Sequence, residues 1–587
     1  MIQDRYEKLL QSWCDGLLSY QIKDSKNKRF RGGLMCPSCQ RIHGRSADAV
    51  YPLLYMAHKT GRKDYLQGAI DLFHWGENVL CDDGSAYNDA QKEWNGITVF
   101  AAMSLFHSLE YHGELLEPEL RAQFEERLRR MVQWIHETIT PQFVTNINYH
   151  ATAAAMLALA GTAWGRQDYL DHAKILAQSC RRHITEDGLF YGEGKPMEYV
   201  TPRGCRPVDI GYNAEESIPA LLTYARTVKD EELLTEVREL LRKQLNFMLP
   251  DGAWDNSFGT RNFKWTYWGS RTSDGCQTAY GIWKGEEPVF TEAALRNLKL
   301  YEECTRDGLL YGGPHYYEHQ EEPCIHHTFC HAKALAEVLD EGVEETGSVK
   351  LPAETAAAVQ YFPTIDTYKI SSGGFLATVT GYDFEYMEGG HASGGTMTML
   401  WHEKTGPLLA ASITDYFMKE ETNMQLSVKK AQHRPLTPGV ELWDGKVRYA
   451  QYYDYNSAIE AKEEAEGVMV RTSSRLVNVR HESLSKPVFS RLDYHFGPDR
   501  LEIRGELQGD RASEAALILP IIGYTKNGCT KTDGGYILKG DKGQVLVKAE
   551  GEIRDIQPIF YLVGGFEAWR FEIGPDSQGR LSVTLEV

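Results

Sequence analysis

The sequence predicts a multidomain chain, α then β: an N-terminal (α/α)n toroid of about six hairpins, followed by an antiparallel β-sandwich. Three observations carry this. First, residues 1–341 repeat one layout, in which a helix, a tight turn and a second helix with apolar residues every three or four positions lead to Asp-Gly ahead of an aromatic residue. Second, those Asp-Gly pairs begin at 83, 187, 251 and 307, so the successive gaps are 104, 64 and 56. The first gap is roughly double the others and holds a hairpin without its own Asp-Gly. Third, past about residue 345 the chain turns to short β-branched, alternating runs such as TYKISS, GVMVRTSS and DRLEIRGEL, separated by Gly, Asp and Asn turns.

Taken in order, hairpins are expected in YPLLYMAHKTGRKDYLQGAIDLFHWGENVL, in WNGITVFAAMSL with FEERLRRMVQWIHETI, in AAAMLALAGTAWGRQDYLDHAKILAQSC, and in ALLTYARTVKDEELLTEVRELLRKQL. TEAALRNLKLYEECTRDGLLYGG supplies a further second helix and its ending. Open solenoids of short period keep their loops short, whereas here long aromatic and charged loops recur at one end of each hairpin. A closed ring with a loop-lined mouth follows. The boundaries are set at 1–341 for the toroid, 342–360 for the connection and 361–587 for the sandwich.

With 42% hydrophobic and 25% charged residues, the 587-residue chain has the composition of a globular protein and not of a disordered one. Its formal charge of −19 argues against a nucleic-acid partner, which needs a basic face. No run of about 18 apolar residues is present, so no membrane partner is expected. MIQDRYEKLL lacks a basic start and an apolar stretch, so a cytoplasmic location is expected unless a leader has been removed. Eleven scattered cysteines suit a reducing compartment better than a disulfide framework.

The chemistry gathers between Thr145 and Leu222. Asn146, Asn148, Tyr149 and His150 stand at the opening of an Ala-rich helix, and Arg203, Arg206 and Tyr212 arrive at the opening of another. Caps use one such residue, not this many. Removing the C5 proton of a uronate requires that its carboxylate be neutralised by donors aimed at the developing enolate. It also requires a base at C5 and an acid for the leaving O4. A tyrosine serves only where cations favour its phenolate. Asn148, His150, Arg203 or Arg206, and Tyr212 make up that set.

The order Asn-Tyr-His, then Asp-Gly, then Arg-Gly-x-Arg and a tyrosine before the next helix resembles the α/α-toroid polysaccharide lyases, namely the toroidal alginate lyases and the heparinase II/III-like group. The resemblance covers about 75 residues closely and the toroid-then-sandwich order loosely. It implies that Asn148 and His150 grip the uronate carboxylate, that Tyr212 is the acid and often also the base, and that Arg203 or Arg206 stands beside it. It also implies a histidine from an early sandwich strand over the mouth, a place that His391 fits. In those families Asn directly precedes His, whereas Tyr149 intervenes here, so Asn146 or Tyr149 could take over a role. Tyr191 and Tyr199 are rivals to Tyr212. The implied function is β-elimination on a uronic-acid-containing glycan, glycosaminoglycan-like, alginate-like or rhamnose-glucuronate, leaving a 4,5-unsaturated uronate end.

The substrate partner is then an anionic poly- or oligosaccharide, with the oligomeric state open. WDNSFGTRNFKWTYWGSR offers Trp254, Trp265, Trp268, Arg261, Lys264 and Arg271 for sugar stacking and anion binding, and Trp94 is a weaker relative. Arg203, Arg206, Arg261, Lys264 and Arg271 are expected to make the mouth locally positive. His315, His327 and His331 introduce a helix, the last two on one face, as lining or substrate contacts. In CPSCQRIHGR, Cys36, Cys39 and His43 have metal-ligand character, but a closed structural site needs four ligands and no second pair follows nearby. No metal or other cofactor is therefore assigned, and His43 and Arg45 are expected to touch substrate. Two other functions fit the same fold: a glycoside hydrolase using two of Asp187, Glu193, Asp209, Asp251 and Asp255, and a carbohydrate-binding protein without turnover.

Overall fold

The computed structural model describes residues 2–89, 93–283, 285–344, 347–415, 424–425 and 434–587. Helix α1 (Ile2–Ser19) starts the chain, and hairpins follow: α2 (Val50–Thr60) with α3 (Lys63–Trp75), α4 (Thr98–His112) with α5 (Pro118–Thr138), and α6 (Ile147–Trp164) with α7 (Gln167–Arg181). A short turn α8 (Ile210–Tyr212) runs through a π-helical segment, Asn213–Ser217, into α9 (Ile218–Val228), which pairs with α10 (Glu231–Gln244). Then come α11 (Gln277–Tyr280), α12 (Pro288–Glu303) and α13 (Ile325–Glu341). Contacts run α2 to α4 to α6 to α9 to α11 to α13 and back from α13 to α2, so the inner helices close a ring. Helix α1 packs on α13 as the outer member of the last pair.

The sequence pattern explains the layers. Inner α6, NYHATAAAMLALAG, is buried on nearly every side and reads as small and apolar all round, as a helix with no solvent face must. Outer α10, EELLTEVRELLRKQ, buries Leu233, Val237, Leu240 and Leu241 at helical spacing and leaves its charges outside. The Asp-Gly turns close outer helices α3, α7, α10 and α12 and seat each on the next outer helix. Gly188 has φ of +78° and Gly308 +76°, which L side chains rarely adopt. A Cβ on Gly188 would meet Lys243 of α10, and one on Gly308 would meet Ser12 and Gly16 of α1.

A four-residue helix α14 (Pro352–Thr355) precedes the first strand, Val359–Phe362. The expected connection of 342–360 includes residues 345 and 346, which lie outside the described residues. The β part holds two five-stranded sheets and an eight-stranded one, every pair among the described strands antiparallel. In the eight-stranded sheet Arg500–Gln508 buries every second residue, the signature of one wet and one dry face. The first sheet leans on the toroid: Lys369 Nζ reaches Asp255 Oδ2 at 2.5 Å and Trp401 Nε1 donates to Asp251 Oδ2 at 3.1 Å. Among the described residues no helix is long and apolar enough to cross a membrane.

Candidate active site

At the opening of α6, Asn146 holds the N-cap position without a side-chain cap bond, which frees the following turn to present polar groups. Asn148 is buried and its Nδ2 donates to Glu216 Oε2 at 2.5 Å, while its Oδ1 has no hydrogen-bond partner among the described residues. The Tyr149 hydroxyl accepts from Trp94 Nε1 at 3.0 Å. Burial raises the Tyr149 phenol to about 12, while Arg261, Trp94 and Arg45 work in the opposite direction.

Opposite α6, the π-helical turn after Tyr212 aims Glu216 at Asn148. A π-bulge of this kind is frequent at functional sites because it re-aims side chains that regular helix would stack. Asp209 prepares it: its Oδ1 accepts from the Tyr212 N–H at 3.0 Å, and its Oδ2 accepts from Asn256 Nδ2 at 3.0 Å and from the Arg261 N–H at 2.8 Å. One carboxylate therefore pins the 256–261 loop to the helix opening. As a result the Arg261 guanidinium lies 3.7 Å from the Tyr212 ring centroid and Lys264 Nζ 5.6 Å from it. The Tyr212 hydroxyl hydrogen-bonds Thr272 Oγ1. Burial pushes the Tyr212 phenol well above its ordinary value, with Arg261 and the Thr272 bond opposing and Glu216 and Tyr149 adding to the rise.

Charge around the pair is matched. Arg261 Nη1 pairs with Glu193 Oε2 at 3.0 Å. Arg45 pairs with Asp48 at 3.0 Å and Asp274 at 2.6 Å, donates to the Thr272 carbonyl at 2.8 Å, and lies 3.6 Å from Glu216 Oε1. Burial lifts Glu216 to about 8, helped by Asp274 and opposed by Arg45 and Asn148. Glu216 is thus a buried carboxyl that keeps its proton near neutrality.

Residues 10–355 match the ulvan lyase N-terminal domain and 359–587 the ulvan lyase C-terminal domain. The chain belongs to the ulvan lyase family. A broad-specificity ulvan lyase of Formosa agariphila is 38% identical over 582 residues, 96% of this chain and 91% of that one. The structure of the Streptomyces coelicolor A3 chondroitin AC lyase in complex with chondroitin sulphate shares the fold, with a TM-score of 0.50 and 11% identity over 99% of this chain and 82% of that one. A heparan sulfate lyase HepC mutant from Pedobacter heparinus aligns with a TM-score of 0.45 at 9% identity, over 98% and 82% of the two chains. The polysaccharide lyase expected from the sequence, acting on a uronic-acid-containing glycan, is what these findings show.

Within this ulvan lyase fold, several expected roles move. His150 sits two residues after Asn148, about 200° around the helix. Its Nε2 faces the Phe143 carbonyl at 3.0 Å, away from Glu216, and burial depresses it to about 4. Arg203 is not beside Tyr212: it crosses to the sandwich, ion-paired with Asp366 and donating to the Ser457 carbonyl at 2.5 Å. Arg206 donates to the Glu198 carbonyl and covers the Tyr191 ring at 4.8 Å. The cation over Tyr212 is Arg261.

Neither rival tyrosine joins the cluster. Tyr191 packs on His183 at 4.6 Å, and Tyr199 is exposed against Phe384. His391 is buried among sandwich residues, its Nε2 facing the Tyr382 carbonyl at 3.1 Å and its ring 5.8 Å from Tyr455. The sandwich ring that does approach is Tyr386, 5.8 Å from the Arg261 guanidinium and 6.0 Å from Phe263.

The aromatic stretch divides. Trp254, Trp265 and Trp268 are fully buried core, their rings unable to stack on a sugar; the indoles of Trp265 and Trp268 donate to the carbonyls of Trp254 and Tyr311. His327 and His331 pack edge-on against Trp268 at 5.2 and 4.5 Å, and His315 bridges to Asp541 of the sandwich at 3.1 Å. Trp94 keeps its place at the cluster through Tyr149, Arg45 through Glu216 and Thr272. Arg271 and His43 instead turn to Cys324. Of the five cations expected to make a positive mouth, only Arg261 and Lys264 belong to the cluster. The carboxylates weighed for hydrolysis hold loops: Asp187 bonds Thr364, Asp251 bonds Tyr267, and Asp255 bonds Ser257 and Lys369.

Glu216 was missed by sequence reasoning. Its signal was present in GYNAEES: three and four residues after Tyr212, a carboxylate pair enters an apolar helix, where a solvated face would not be expected.

Proposed function

We propose that this chain depolymerises ulvan by β-elimination at Asn148, Tyr149, Tyr212 and Glu216, with Arg261 and Lys264 holding the local charge. The observation that supports it is a pair of tyrosines on facing helices, Tyr212 buried and Tyr149 half-buried, beside the buried Glu216 carboxyl that accepts from Asn148. Glu216 and Asn148 Nδ2 take the uronate carboxylate, the shared proton offsetting its charge as the enolate forms. Tyr149 removes the C5 proton in its phenolate form, which the Trp94 hydrogen bond and the Arg261 and Arg45 charges favour against its burial. Tyr212, pushed further toward its neutral form, gives its proton to the departing O4. Two like groups held in environments that separate their proton affinities divide base from acid in this way.

The test uses purified ulvan, with ultraviolet absorbance reading the new double bond and C5 deuterium uptake from heavy water reading proton removal. Tyr212→Phe should eliminate almost nothing yet still exchange C5 deuterium, while Tyr149→Phe should lose both. Full activity in Tyr212→Phe would overturn the assignment. Turnover of other uronate glycans but not ulvan would overturn the substrate while leaving the chemistry.

A further inference from the structure

The short hairpin before α2 and the start of α13 come together at one point. Met35 pairs with Ile42 across a tight turn, with the Cys36 N–H bonded to the Arg41 carbonyl and Gln40 in the left-handed region at φ of 53°. That turn sends Cys36, Cys39 and His43 inward. The fourth group missing from CPSCQRIH is Cys324, the residue that caps α13, 288 positions after Cys36. All four are buried, and one Sγ or ring nitrogen from each lies within 4.8 Å of the others.

We propose that these four side chains form a closed structural zinc site that locks the toroid's seam. The spacing supports it. Cys324 Sγ stands 3.8 Å from Cys36 Sγ, 3.6 Å from Cys39 Sγ and 3.7 Å from His43 Nε2. A tetrahedron with zinc–sulfur bonds of about 2.3 Å has edges of about 3.8 Å. A disulfide would need about 2.05 Å and would strand the third thiol. The surroundings suit thiolates: the Cys39 N–H donates to Cys36 Sγ at 3.3 Å, and Arg271 Nη2 donates to Cys324 Sγ at 3.0 Å and to Cys39 Sγ at 3.6 Å. On binding, the three thiol protons leave to solvent and three zinc–sulfur bonds form. Three thiolates and a neutral imidazole around a divalent ion leave one negative charge, which the Arg271 guanidinium offsets.

The position gives the site its consequence. The zinc would tie the segment entering the first hairpin to the inner helix of the last. Arg271 stands directly before Thr272, whose hydroxyl holds the Tyr212 hydroxyl and whose carbonyl accepts from Arg45. The same ion therefore steadies the strap behind the acid from outside the substrate's reach, and Arg271 is a positioning residue.

Metal analysis of the purified full chain, grown with zinc supplied, should return about one zinc per chain. Cys324→Ser should bring this near zero, and Cys205→Ser, a buried cysteine elsewhere, should leave it unchanged. Cobalt exchanged into the intact protein should show the visible bands and the sulfur charge-transfer band of a tetrahedral thiolate site. If Cys324→Ser does not fold, stripping zinc from the native protein with a chelator should expose three further thiols to alkylation and lower Tm. Absence of bound metal, iron in place of zinc, or the same zinc content in Cys324→Ser would each overturn the proposal.

Discussion

The lumen of the toroid and the eight-stranded sheet use charge in opposite ways. In the lumen Arg45, Glu193, Glu216, Arg261, Lys264 and Lys333 are all buried, and Arg45, Glu193, Glu216, Arg261 and Lys333 pair with one another or with Asp48 and Asp274. On the sheet, charges alternate outward: exposed Arg504 beside Glu502, and half-exposed Arg471 across from Asp493. Exposed pairs of that kind contribute roughly 0–1 kcal/mol, whereas one partner removed from a buried set leaves a costly unpaired charge. Buried charge that does not stabilise the fold cheaply marks where chemistry is done. The sandwich also carries a groove of about 640 Å³ between Asp454 and Gln508, lined by serines and arginines and by neither tyrosine.

The sharpest way to break this contrast is Tyr212→Phe, which keeps the ring against Arg261 and removes the proton. A fall in kcat of about 10²- to 10⁴-fold with a normal Tm is expected for loss of a general acid. Next, Asn148→Ala should lower kcat by about 10²- to 10³-fold and change KM little, because its donor acts mainly on the enolate. A raised KM with kcat unchanged would make it a binding residue only.

Glu216→Gln tests the electrostatics through stability. The folded-state value, about 8, lies above that of the unfolded chain. The native state therefore keeps a proton that the unfolded chain releases, so this group's contribution is full below the unfolded value and is lost as pH rises through about 8. Gln cannot ionise. The Tm of the variant should gain on the parent between pH 6 and pH 9, and parallel curves would refute the shift. Smallest of all, Arg504→Ala on the sheet should change stability by no more than about 0.5 kcal/mol and leave turnover untouched. A large effect there would erase the distinction between the two regions.

How much of this was legible follows the range of each interaction. The hairpins were readable because helical periodicity is local, and Asn148 and Tyr212 were readable because each stands at a helix opening. The face of His150 was also readable, since two residues along a helix cannot look the same way. The cation over Tyr212 was not. Arg203 and Arg206 are near it in sequence, but Asp209 reaches 52 positions ahead to fetch Arg261. The tryptophans between 254 and 268 resembled a sugar platform because composition does not say which side of a loop faces the core. Cys324 was invisible to a search for neighbouring pairs, since only ring closure brings α13 back to the start of the chain.

That closure sets an order of events during synthesis. Helix α1 buries Tyr6, Leu10, Trp13 and Leu17 against an inner helix that begins at Ile325 and a turn glycine at 308. On a ribosome it is made before the other described helices, and it gains α13, its main partner, only after the hairpins between them. For more than 300 residues its apolar stripe waits, while domains otherwise fold as they emerge. A nascent chain stalled before α13 should hold the middle hairpins but leave α1 open to protease, so the first helix reports on whether the last has arrived.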